Sequence, residues 1–86
     1  FCGIVGFRPS PGLVPTDKRA QGWNMISTHG PMGRTVADAC LLLSAQAGFD
    51  PVDPLSRPID GDVFVDPAPV DLAQLRVAFT GDWGVC

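Results

Sequence analysis

Apolar positions along this chain gather into three blocks, separated by stretches with no regular period. The first, Gly3-Ile4-Val5-Gly6-Phe7-Arg8, is β-branched and aromatic and is closed by Pro9, so it predicts a short buried strand ending where proline offers no N–H to a ladder. Ser10-Pro11-Gly12 then places proline and glycine at the two central positions of a type II turn, after which Leu13-Val14-Pro15 returns to extended chain. From Thr16 to His29 the charged groups Asp17, Lys18 and Arg19 give way to Trp23, Met25 and Ile26, at neither helical nor strand spacing. That segment reads as a loop carrying bulky side chains.

The second block predicts the one long helix. Thr35 followed by Asp38 has the T-x-x-D form of a capping box, which starts the helix at Val36 and puts an acidic group in its first turn; Gly48 is the natural stop. Val36, Ala39, Cys40, Leu43 and Ala47 recur at spacings of three and four. Leu41 and Leu42 widen the stripe past one face, so the helix is expected to be covered on most sides. Residues 49–71 carry Asp-Pro steps and predict a long connection of turns and extended pieces. The third block, Leu75-Arg76-Val77-Ala78-Phe79-Thr80, predicts a closing strand. The order strand, loop, helix, long connection, strand is of α/β type, with no internal domain boundary in residues 1–86.

Composition narrows this picture. With 45% apolar and 17% charged residues the chain is globular in type, and ten Gly plus nine Pro stay below the roughly 25–30% typical of aperiodic low-complexity sequence. At 86 residues it allows at most one small domain with a marginal core. The net charge is −3 and the six basic residues are scattered, so no nucleic-acid footprint is visible. No stretch resembles a signal peptide or spans a bilayer, and the expectation is a soluble, cytoplasmic protein without a membrane partner. Both ends fall beside apolar segments, and each is expected to be a cut from something larger.

Two stretches carry a family likeness. Phe1-Cys2-Gly3-Ile4-Val5-Gly6-Phe7-Arg8-Pro9-Ser10 resembles the segment that follows the nucleophile loop of amidase signature hydrolases, and Gly30-Pro31-Met32-Gly33-Arg34-Thr35-Val36-Ala37-Asp38-Ala39 resembles their second recurrent stretch, which usually has alanine in place of Gly33. Residues 47–56 are similar to that family's loop after the helix, and residues 75–79 to its next core strand. The resemblance implies a fragment of a mixed β-sheet core surrounded by helices. It also implies hydrolysis of a carboxylic amide by a Ser–cis-Ser–Lys arrangement, in which an unprotonated lysine acts through a bridging serine on the nucleophilic serine. All three groups, and the oxyanion donors, are expected ahead of Phe1, so no catalytic residue is assigned and the 86 residues alone are expected to be inactive. No cofactor is implied. The implied partner is a small-molecule amide substrate, and a homo-oligomer is left open.

In relatives the segment before the Gly-Pro-Met turn passes near the acyl pocket. Trp23, Met25, Ile26 and Thr28 are therefore the candidate substrate-binding residues, with the three large groups forming an apolar wall suited to a hydrophobic or aromatic acyl group. Competing chemistry is poorly supported. Cys2, Cys40, Cys86 and His29 would make a Cys3His set, yet none of them lie in the close pairs of a structural zinc site, and buried thiols are the simpler reading. His29 with a serine and Asp38 lacks a G-x-S-x-G elbow. Lys18 sits in a polar loop that would not desolvate it, and Arg34 reads as a pairing residue for the turn. The rival reading is a non-catalytic truncated module that binds a partner or self-associates.

Overall fold

Backbone pairing is confined to one small ladder. The computed structural model describes residues 2–18, 20–82 and 84. In it strand β1 (Val5–Gly6) runs antiparallel to β2 (Met32–Gly33), with Val5 opposite Gly33 and Gly6 opposite Met32, and the Phe7 N–H extends the ladder to the Pro31 carbonyl at 3.0 Å. The predicted strand over residues 3–8 is thus two residues long, and the Gly-Pro-Met turn is itself its partner. Pro31 is the largest fully buried side chain, wedged where that turn crosses the ladder.

Helix α1 (Val36–Gln46) forms where predicted, with Thr35 as N-cap in extended conformation and its hydroxyl accepting the Asp38 N–H at 3.1 Å. Only half of the capping box is made. The Asp38 carboxylate turns to Arg34 instead, Nε to Oδ2 at 3.1 Å, an exposed pair one helical turn apart worth only a few tenths of a kcal/mol, roughly. The helix ends at Gln46, and the Gly48 N–H is taken by the Leu13 carbonyl at 3.2 Å.

The core is a knot of three segments. Leu13 and Val14 meet Leu43 of α1, with Ala47, Ile59 and Phe64 packed against them. The Ser10–Leu13 turn is type II as predicted: Gly12 has φ +80° and the Leu13 N–H reaches the Ser10 carbonyl at 3.1 Å. A 3-10 helix, Gly61–Phe64, lies across α1, and a second, Leu72–Gln74, lies beyond it.

Two expectations are corrected. Ala39 and Leu43 are the buried residues of α1 while Val36 and Leu41 stay exposed, so the helix is covered on one side rather than most. Residues 75–80 form no strand, and Phe79 is 94% exposed. A strand needs an edge to pair with, and among the described residues the sole sheet is the two-residue β1–β2 ladder. The whole chain accordingly exposes 7014 Å², against about 4,900 Å² for a compact monomer of its mass. Its radius of gyration is 15.4 Å, against about 12 Å for a closed domain of this length.

Candidate functional site

The loop that carries the candidate binding residues is shaped locally and tied to the sheet by a long-range bond. Asn24 N–H bonds to the Gln21 carbonyl at 2.8 Å, Ile26 N–H to Asn24 Oδ1 at 2.9 Å, and Thr28 Oγ1 to the Met25 carbonyl at 3.5 Å, all within three residues. Arg8, just past β1, reaches across eighteen positions to donate from Nη2 to the Ile26 carbonyl at 2.7 Å. The Gly-Pro-Met turn is pinned by close approach. A Cβ on Gly33 would stand 2.7 Å from both the Ala39 nitrogen and the Asp38 Cβ, so an alanine at this position would push on the start of α1.

The four candidate residues share this loop, and the three large apolar ones face outward. Trp23 is 75% and Ile26 81% exposed, Met25 is exposed, and Thr28 is half-buried. A cavity of about 390 Å³ lies elsewhere, between β1, Pro31, α1 and Phe64, and none of the four lines it. Its walls are almost entirely carbon, with the Cys40 thiol the one reactive group, so it can accept an apolar side chain but cannot orient an amide. Lys18 is exposed, and its N–H bonds to Thr16 Oγ1. Cys2 and His29 are exposed and Cys40 is half-buried, while Cys86 lies outside the described residues; no three His, Cys, Asp or Glu side chains converge among the described residues.

One structural residue escaped the sequence reading. Asp53 is 2% exposed and accepts the Thr16 N–H through Oδ2 and the Leu55 N–H through Oδ1, both at 3.0 Å. Around it two turns run in tandem, Asp50–Asp53 and Asp53–Ser56, closed by the Ser56 hydroxyl on the Asp50 and Asp53 carbonyls at 2.6 and 2.8 Å. The signal was present as Asp50-Pro51-Val52-Asp53-Pro54-Leu55-Ser56, with Asp then Pro opening each turn and Asp53 shared between them.

One family matches across the whole chain: the family model described as Amidase covers residues 1–86. The chain belongs to the amidase family. An acylamidase of Rhodococcus erythropolis is 38% identical over 85 residues, covering 99% of this amidase chain and 18% of that protein. A glutamyl-tRNA(Gln) amidotransferase subunit from Rhodospirillum rubrum is 37% identical over 83 residues, covering 90% of the chain and 15% of the relative. Its counterpart from Microcystis aeruginosa is 46% identical over 56 residues, covering 65% and 12%. The chain thus spans less than a fifth of the length of these curated relatives. No solved structure matches. Among the described residues no helix is long and apolar enough to cross a membrane.

Proposed function

We propose that this chain is part of an enzyme that hydrolyses a carboxylic amide to an acid and ammonia or an amine, and that these residues supply scaffold and pocket wall rather than catalytic groups. The observation that carries the reading is the family match over the full chain, joined to 38% identity with an acylamidase over 99% of this chain. The division of labour follows from the residues. The chain's sole lysine, Lys18, sits exposed in a polar turn. The nucleophilic hydroxyl, its lysine relay and the oxyanion donors would then come from other parts of the amidase fold.

Two features support a scaffold role. Surface and radius both exceed those of a closed domain, and apolar groups such as Val77 and Phe79 lie open on residues 75–80, as suits a segment that further protein covers. The pocket wall is assigned to Trp23, Met25, Ile26 and Thr28, whose side chains stand on a loop pinned beside the Gly-Pro-Met turn. Three large apolar groups on one short loop favour a hydrophobic or aromatic acyl group over a small one.

The test is kinetic, on the amidase polypeptide that carries these residues. Trp23→Ala is expected to lower kcat/KM for an aromatic acyl amide by about 10-fold or more, the scale of one large apolar contact, with a smaller effect on a two-carbon amide. Unchanged preference between the two would remove the loop from the pocket. Failure of the unsubstituted polypeptide to hydrolyse any amide would favour the rival, a non-catalytic module whose open apolar surface binds a partner or a second copy.

A further inference from the structure

We propose that Arg8 is a positioning residue for the substrate-binding loop, fixing the Ile26 carbonyl and through it the apolar wall; this rests on the reading that the loop borders the acyl pocket. The stem from which Arg8 reaches is held on both sides. Phe7, before it, donates its N–H to Pro31, and Pro9, after it, is buried with φ fixed by its ring. Gly30 packs so closely on this stem that a Cβ there would collide with the Phe7 carbonyl and stand 2.6 Å from Pro9 Cδ. The guanidinium therefore projects from a rigid base.

What it holds is the segment that carries the wall residues. Bonds spanning two or three residues give the loop its local shape, but a rigid-body swing of the loop would preserve every one of them. The 2.7 Å bond from Arg8 breaks on such a swing, and its charged donor puts it among the stronger hydrogen bonds. Its acceptor lies between the candidate wall residues: Ile26 bears the carbonyl, Met25 precedes it, and Trp23 stands three positions earlier. Holding that carbonyl orders the wall before substrate arrives, so less order must be imposed on binding. Arg8 itself is exposed, and replacing it leaves no cavity in the core.

The experiment compares Arg8→Met, which keeps an unbranched apolar stem but no donor, with Arg8→Lys, which keeps a charged donor. Both are made in the amidase polypeptide carrying these residues, and KM and kcat are measured on an aromatic acyl amide and a two-carbon amide. Arg8→Met is expected to raise KM for the aromatic substrate about three- to tenfold, the size of one net hydrogen bond, with little change in kcat. The two-carbon substrate should respond less, and Arg8→Lys should recover part of the loss. Equal losses on both substrates, a fall confined to kcat, or no change in Arg8→Met would each overturn the assignment. Trp23→Ala separates the two levels. If it leaves acyl preference unchanged, the pocket reading itself fails; if it shifts preference while Arg8→Met is silent, the role of Arg8 alone is lost.

Discussion

Residues 50–56 and residues 65–82 are built from the same turn chemistry and end in opposite states. Both use aspartates whose carboxylates accept backbone N–H groups. In the first region Asp53 is buried and bonded to Thr16, thirty-seven positions away, while Gly12 approaches so closely that a Cβ would collide with the Leu55 carbonyl. In the second, Asp71 accepts from Ala73 and Gln74, and Asp82 accepts from Gly84. Those bonds close single turns and leave residues 65–80 exposed. Proline and aspartate therefore set local bends in both regions. Order comes from what reaches across the chain.

The sharpest way to break this comparison is to remove the long-range acceptor. Asp53→Ala leaves the Thr16 and Leu55 N–H groups without the carboxylate, at about 1–3 kcal/mol for each donor left unsatisfied when buried, and should lower the urea midpoint of the polypeptide carrying these residues. A loss under about 0.5 kcal/mol would mean that the knot is held by apolar packing alone. Next in size is Gly12→Ala, which places a side chain at φ +80° against the Leu55 carbonyl. About 1–3 kcal/mol is expected for the backbone strain, before any cost of parting the two segments, and thermal unfolding reads it.

These two residues also mark how far the sequence could be read. Gly12 was legible because a type II turn needs positive φ at one position, and Ser10-Pro11-Gly12 names that position locally. Helix α1 was legible for the same reason, from Thr35 and the apolar spacing that follows it. Asp53 was not. Its turn was visible in the Asp-Pro steps, but its burial depends on Thr16 arriving from another segment, and no local pattern encodes that meeting. Residues 75–80 failed in the opposite sense: the strand character was present, but among the described residues no edge pairs with it, so the prediction had chemistry without a neighbour. The candidate site divides likewise. The bulky loop of Trp23, Met25 and Ile26 could be read from composition, whereas the tie from Arg8 to the Ile26 carbonyl is a bond between a side chain and a backbone atom, and residue types do not display it.

The smallest expected effect sharpens the comparison from its weaker side. Asp71→Ala removes the side-chain cap of the 3-10 helix Leu72–Gln74, the same chemistry that Asp53 supplies at its own turn. At an exposed site the freed Ala73 N–H can bond to water, so the change should lie within about 0.5 kcal/mol of zero. Amide hydrogen exchange would separate the two regions directly: the Thr16 and Leu55 amides should be protected and the Ala73 and Gly84 amides should exchange fast. A protected Ala73 amide in the polypeptide carrying these residues would show that further protein covers residues 65–82. Their openness would then be a property of this segment taken alone, and the Asp71 cap would gain the weight that burial gives to Asp53.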